Sequence, residues 1–107
     1  MSRFSEVLER LAATIEARKG SDPSSSYTAQ LLADPARAAK KLGEEAVEAV
    51  IAAARGDQTA LAAESADLIY HWLAALAACG VSLDEVATRL EAREGTSGLA
   101  EKASRKG

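Results

Sequence analysis

Apolar residues recur every three or four positions along most of this chain, the spacing that places side chains on one face of an α-helix. The first such stripe comprises Phe4, Val7, Leu8, Leu11, Ala12 and Ile15. Gly20 is suited to end that helix, and a polar loop then leads into a short helical piece over residues 27–33. No segment shows the alternation of apolar and polar residues that is typical of a β-strand. The pattern predicts an all-α protein.

Two longer helices have clear start and stop signals. Asp34-Pro35 predicts an N-cap carboxylate followed by proline at the first helical position, and this helix should run to about Arg55. Asp57 is expected to cap the next helix, which should run to about Cys79 and end at Gly80. The short connection between the two helices favours antiparallel packing.

The last part of the chain predicts one more helix and a tail. Ser82 and Glu85 have the spacing of a capping box, and the helix that they begin should end near residue 93. We therefore expect residues 1–93 to form an antiparallel bundle of about four helices, with residues 94–107 as a flexible tail rich in glycine, serine and lysine. Because a chain of 107 residues leaves much of its surface in water, homodimerisation is expected to complete the bundle.

Composition and charge narrow the class of protein. The chain has 13 lysines and arginines against 16 aspartates and glutamates, and a net charge of −3 argues against a protein that binds nucleic acid or a membrane surface. The single cysteine, Cys79, excludes an intrachain disulfide and is expected to be a small buried residue. The charged N-terminus has no signal-peptide pattern, and the alanine-rich stretches are too short to span a bilayer. We expect a cytoplasmic protein.

Two acidic residues lie on a helix that is otherwise apolar. Between Gln58 and Cys79 the only acidic residues are Glu64 and Asp67, and lysine and arginine are absent. A helix that is apolar nearly all round is normally buried. Glu64, Asp67 and His71 fall at i, i+3 and i+7, so they share one narrow stripe. Carboxylates beside an apolar core are costly unless a cation neutralises them.

The preceding helix carries a matching stripe of Lys41, Glu45 and Glu48. If the two helices pack antiparallel, their carboxylate pairs face each other and form an oxygen-rich cage. Hard divalent cations prefer oxygen ligands, and Mg²⁺ commonly combines a few carboxylates with waters and substrate phosphates. The two helices together predict a magnesium site. Its predicted ligands are Glu45, Glu48, Glu64 and Asp67.

Several of these residues also fit other interpretations. Either carboxylate pair taken alone is more typical of a solvated acidic face. Glu44, which points away from the stripe, fits this interpretation as a solvated residue. His71 fits a hydrogen-bonded packing residue as well as a contact to the neighbouring carboxylate or to a substrate phosphate. Lys41, on the carboxylate stripe, is a predicted phosphate contact, whereas Arg37 and Lys40 also fit a solvated basic turn.

Four short motifs make the chain similar to a known family. They are SYTAQL at residues 26–31, KLGEEAVE at 41–48, ESADLIYH at 64–71 and SGLAEKA at 97–103. The paired E-x-x-E and E-x-x-D helices resemble those of the all-α nucleoside triphosphate pyrophosphatases. Two short motifs, Ser-Tyr-Thr at residues 26–28 and Tyr-His at residues 70–71, are similar to those of the phosphoribosyl-ATP pyrophosphatase family. The likeness covers nearly the whole chain.

This resemblance implies hydrolysis of phosphoribosyl-ATP to phosphoribosyl-AMP and pyrophosphate, a step of histidine biosynthesis, with Mg²⁺ on the four carboxylates and a dimeric helical assembly. In the mechanism that we expect, Glu48 or Glu44 accepts the proton of the attacking water, and Tyr27 and Thr28 contact the ribose phosphate. A house-cleaning pyrophosphatase for noncanonical nucleotides would use the same cage with a different base pocket. The alternative outside enzymes is a helical dimerisation module whose acidic stripe pairs with a basic partner.

Overall fold

The computed structural model describes residues 2–95, and every regular element within them is an α-helix. The helices are α1 (Arg3–Ala17), α2 (Tyr27–Leu32), α3 (Pro35–Ala54), α4 (Gln58–Cys79) and α5 (Leu83–Glu91). The predicted all-α class is confirmed, and the short helical piece after the polar loop is present as α2. Residues 96–107, which make up most of the predicted tail, lie outside the described residues.

The ends of the two longest helices follow the signals in the sequence. Asp34 caps α3 by accepting a hydrogen bond from the backbone N–H of Arg37 at 3.2 Å. Asp57 caps α4 by accepting one from the backbone N–H of Ala60 at 3.0 Å. Gly80 ends α4 with a φ of 74°, a left-handed conformation that favours glycine. These local signals set where each helix begins and therefore how α3 and α4 align.

The last helix, α5, begins at the predicted capping box. Both hydrogen bonds of the predicted capping box are present, each at 3.1 Å: Ser82 Oγ accepts from the backbone N–H of Glu85, and the Glu85 carboxylate accepts from that of Ser82. The helix ends at Glu91, contains no buried residue and meets α4 at 107°. Within residues 2–95 no single helix is both long and apolar enough to cross a membrane, and α4 with α5 reaches that composition only as a bent pair.

The packed centre lies between α3 and α4, whose mutual contact is the most extensive in the described chain. The connection between them is short, so they form an antiparallel hairpin, against which α2 packs on both helices and α1 on α4. The buried apolar residues are Ile15, Ala29, Leu31, Ala38, Ala49, Ala52, Leu73 and Ala74. Most are alanines, and these small side chains let the two helices of the hairpin approach closely.

The fourth helix is less buried than its apolar composition predicted. Only His71, Leu73 and Ala74 are buried on it, because α1, α2 and α3 cover only part of its circumference. The partly exposed large apolar residues are Leu61, Leu68, Ile69, Trp72 and Leu76. The prediction that Cys79 is buried was wrong: its thiol is exposed, because it is the last residue of α4 and lies beyond the packed region.

The buried side chain of Leu31 provides a test of how α2 is held. It is 0% exposed and clusters with Ala38 and Ala74. Because Leu31→Ala removes buried methyl groups and leaves a cavity, we expect a loss of about 2–5 kcal/mol in the free energy of unfolding, measured by urea denaturation. The same change at Leu90, which is 58% exposed, should cost less than about 1 kcal/mol. Equal losses in both variants would contradict this packing.

Candidate metal and nucleotide site

Three carboxylates meet where α3 faces α4. One oxygen from each of Glu45, Glu48 and Glu64 lies within 4.8 Å of the others. Glu45 and Glu48 are neighbours one turn apart on α3, and Glu64 faces them from α4. Asp67 is exposed and stands outside this 4.8 Å group, yet its charge helps to raise the pKa of both Glu45 and Glu64. The structure therefore brings three predicted ligands together and places the fourth close by.

The cluster holds negative charge that its surroundings do not neutralise. Oε2 of Glu45 and Oε2 of Glu64 are buried and have no hydrogen-bond partner among residues 2–95. Burial is the main cause that raises the pKa of Glu45, followed by the charge of Glu48. The main cause that raises the pKa of Glu64 is a hydrogen bond to Glu48 that can form only when one of the two carboxyl groups is protonated, and burial is the next cause. Unpartnered carboxylate oxygens are costly, and these residues could hold a hard divalent cation, which would give the oxygens a partner.

Lys41 and Glu44 form an ion pair beside the cluster, with 3.0 Å between Lys41 Nζ and Glu44 Oε2. The hydrogen bond between them is the main cause that lowers the pKa of Glu44 and raises that of Lys41. Tyr27 and Glu45 lie close enough to raise the pKa of Lys41 further. Glu44 is exposed, in agreement with its interpretation as a solvated residue. The Lys41 ammonium lies close to both the carboxylate cluster and α2.

The imidazole of His71 has a hydrogen-bond partner on each nitrogen. Nδ1 lies 2.8 Å from the backbone carbonyl oxygen of Asp67, an acceptor, so Nδ1 carries the proton and donates. Nε2 is then the acceptor for the Tyr27 hydroxyl, at 3.2 Å. His71 is only 8% exposed. This arrangement fits the hydrogen-bonded packing interpretation, and the contact to Asp67 goes through its backbone and not its carboxylate.

Two further contacts attach the start of α2 to the hairpin. The hydroxyls of Thr28 and Tyr70 are hydrogen-bonded to each other. The rings of Tyr27 and Tyr70 stack with their centroids 6.5 Å apart, and the Arg37 guanidinium lies 5.9 Å from the Tyr27 centroid. Tyr27 and Thr28, which the sequence predicted as substrate contacts, therefore lie at the same end of the hairpin seam as Lys41.

Tyr70 and Arg55 were not predicted from the sequence to have a role in the site. Tyr70 holds the predicted substrate contact Thr28, and its signal was a polar side chain directly before His71 on an otherwise apolar helix. Arg55 lines a cavity of about 210 Å³ whose wall includes Glu48 and Glu64. Arg55 had no such signal in the sequence: it precedes the Gly56-Asp57 turn, where an arginine is ordinarily solvated.

Taken together, the fold and this geometry define an all-α protein with a carboxylate site shared between two antiparallel helices. The family model described as phosphoribosyl-ATP pyrophosphohydrolase matches residues 8–94, and the chain belongs to that family. A phosphoribosyl-ATP pyrophosphatase of Caulobacter vibrioides is 77% identical over 103 residues, which cover 96% of each chain. Its counterpart from Caulobacter sp. strain K31 is 73% identical over 105 residues, 98% of each chain. One from Cereibacter sphaeroides is 66% identical over 100 residues, 92% of this chain and 97% of the relative.

The raised pKa values predict how stability depends on pH in the absence of metal. A carboxyl group whose pKa is higher in the folded chain than in the unfolded chain favours folding less as the pH rises. In EDTA, Tm should therefore fall as the pH rises above 4.5, the ordinary pKa of glutamate, towards neutrality. Glu64→Gln removes one repelling charge and should raise Tm at neutral pH.

Glu44→Gln is the matched control for this measurement. Because Lys41 lowers the pKa of Glu44, ionised Glu44 stabilises the fold above its ordinary pKa, and this contribution is lost as the pH falls through the lowered value. Glu44→Gln should leave Tm at neutral pH unchanged or slightly lower, since exposed ion pairs contribute little to the free energy of unfolding. A Glu64→Gln protein less stable than the wild type in EDTA at neutral pH would contradict the repulsion.

Proposed function

We propose that this chain hydrolyses phosphoribosyl-ATP to phosphoribosyl-AMP and pyrophosphate in the histidine biosynthesis of the cytoplasm, with Mg²⁺ held by Glu45, Glu48, Glu64 and Asp67. The observation that carries the proposal is the carboxylate cluster, with oxygens from three side chains within 4.8 Å and two buried oxygens without a partner in the described chain. Relatives named phosphoribosyl-ATP pyrophosphatase match almost the whole chain, which supports the choice of substrate.

The four carboxylates have different places in the proposed metal site. Bound Mg²⁺ would neutralise phosphate oxygens, orient the phosphate chain and acidify the attacking water. Glu45 and Glu64 contribute the buried oxygens, for which the described residues offer no other partner. Glu48 and Asp67 are exposed and approach from the open side of the seam, where substrate and water enter.

Glu48 is the group that we propose accepts the proton of the attacking water. It belongs to the close cluster and is exposed, so water reaches it. Glu44, the other carboxylate predicted for this role, is engaged by Lys41 at 3.0 Å, and its lowered pKa makes it a weaker base. In this proposal Glu44 holds Lys41 in place.

The end of the seam beside α2 is proposed to receive the phosphoribosyl part of the substrate. Lys41 provides a positive charge there, and Tyr27 is 42% exposed. Thr28 lies next to it on the first turn of α2. His71 acts here by holding the Tyr27 hydroxyl, since both of its nitrogens already have partners.

Release of pyrophosphate tests the substrate and the ligands together. The wild-type protein with Mg²⁺ should prefer phosphoribosyl-ATP to every nucleotide in a panel of canonical and noncanonical dNTPs, judged by kcat/KM. Glu48→Gln and Asp67→Asn should lower turnover by at least about 100-fold, because each removes a charged group that holds the metal. Circular dichroism should show unchanged helix content in both variants.

Glu9→Gln, which changes an exposed carboxylate on α1, is the matched control and should keep full activity. Near-wild-type turnover in Glu48→Gln or Asp67→Asn would contradict their roles. A preference for a dNTP would instead indicate the house-cleaning function. If calorimetric titration with Mg²⁺ shows no heat of binding, either alone or with a nonhydrolysable triphosphate, the result would favour the dimerisation module.

We further propose that two copies of the chain associate through α3 and the uncovered side of α4. Val47, Val50 and Ile51 lie at i, i+3 and i+4 on α3 and are 58%, 65% and 46% exposed. Together with the partly exposed apolar residues of α4, they leave more apolar surface in water than scattered single residues would. A second copy presents the same surface and can cover it in a self-complementary contact.

Val50→Glu tests the position of this contact. A carboxylate in an apolar interface without a partner is costly, so sedimentation equilibrium should show a shift from dimer towards monomer. Leu90→Glu introduces the same charge at a residue of α5 that is 58% exposed, and it should leave the association state unchanged. A Val50→Glu dimer as tight as the wild type would rule out an interface on this stripe.

A further inference from the structure

The carboxylate cluster opens at one end into a cavity beside the α3–α4 turn. The cavity has a volume of about 210 Å³. Its lining includes Glu48, Ile51 and Arg55 from the α3 side and Asp57, Ala60 and Glu64 from the α4 side. Glu48 and Glu64 also belong to the cluster, so a ligand bound at the cluster has direct access to this cavity.

Arg55 is the one cationic residue in that lining. Its guanidinium forms no ion pair with any residue between 2 and 95. Asp57, the nearest acidic residue along the chain, accepts a hydrogen bond from the backbone N–H of Ala60 as the cap of α4. The planar guanidinium presents donors that match the oxygens of a phosphate group. A ligand rich in phosphate oxygens would supply the acceptors that the guanidinium lacks.

The two ends of the hairpin seam differ in chemistry. Lys41 and Tyr27 lie at the end near α2, and Arg55 lies at the other, beyond the carboxylates. Glu48 and Arg55 are seven residues apart on the same side of α3, about 10 Å along the helix axis. A nucleotide whose reacting phosphates lie at the cluster therefore extends towards a cationic group in both directions.

We propose that Arg55 binds the two terminal phosphates of the substrate, which leave as pyrophosphate, so that the substrate lies along the seam with its phosphoribosyl part near Lys41 and its terminal phosphates near Arg55. The inference rests on the proposed hydrolysis of phosphoribosyl-ATP. The guanidinium donates hydrogen bonds to the nonbridging oxygens of the two phosphates that leave together. It also offsets the acidity of the cavity walls, and it provides a fixed positive charge where negative charge develops on the leaving group.

Binding of inorganic pyrophosphate in the presence of Mg²⁺, measured by isothermal titration calorimetry, tests this contact without turnover. Arg55→Gln should weaken binding by roughly 10- to 100-fold, the effect of one lost hydrogen bond to a charged group, and should lower kcat/KM for phosphoribosyl-ATP similarly. Arg55→Lys keeps the positive charge and should retain part of the pyrophosphate affinity and part of the kcat/KM. Arg10→Gln, an exposed arginine on α1, makes the same change in net charge and should behave as the wild type.

Lys41→Gln tests which end of the substrate lies near Lys41 and which lies near Arg55. It should raise KM for phosphoribosyl-ATP and leave the affinity for pyrophosphate unchanged, because Lys41 lies at the opposite end of the seam. The proposal is overturned if the wild type does not bind pyrophosphate, if Arg55→Gln binds it as the wild type does, or if Arg10→Gln or Lys41→Gln weakens binding equally. Weaker pyrophosphate binding in Arg55→Gln alone, in a protein that does not hydrolyse phosphoribosyl-ATP, would support the contact and refute the proposed function.

Discussion

Repulsion between carboxylates across the α3–α4 seam is the interaction on which the site depends. Glu45 and Glu64 each place a buried oxygen in the seam without a partner in the described chain, and Glu48 stands between them. Such an arrangement lowers the stability of the metal-free fold, and the extensive contact between α3 and α4 has to offset that cost. The same repulsion would favour binding of a divalent cation in the proposed metal site, because the cation would neutralise charges that the fold already holds close together.

Small residues make this close approach possible. Ala49 and Ala52 are buried on α3 and Ala74 on α4, so large side chains do not hold the hairpin apart along these positions. The contacts between α2 and α4 include directional hydrogen bonds, which fix the orientation of side chains. The hydrogen bond from Tyr27 to His71 crosses between two helices and holds the Tyr27 ring, a proposed substrate contact, through a buried side chain. Alanine packing therefore sets the distance between carboxylates, and directional hydrogen bonds set the orientation of the neighbouring aromatic residues.

Local signals explain why so much of this could be predicted from the sequence. The caps at Asp34 and Asp57 depend on residues close by in the chain, and both are present. The carboxylate cluster followed from helical periodicity combined with a short turn, which together place Glu45 opposite Glu64. Features that depend on distant parts of the chain were not predictable in this way. Periodicity contains no information on how far neighbouring helices cover α4, and it gave no reason to expect, beside a cavity, an arginine that has no ion pair among residues 2–95.

The two faces of α3 link the site to the rest of the molecule. One face brings Glu45 and Glu48 into the seam together with the buried Ala49 and Ala52, and the opposite face exposes Val47 and Val50. Successive residues lie about 100° apart around a helix, so rotating α3 by one position would turn Glu45 about 100° away from Glu64. The cap at Asp34 and the left-handed Gly56, with φ of 67°, fix both ends of the helix against such a rotation. Accurate helix ends are thus a condition for the proposed metal site on the hairpin.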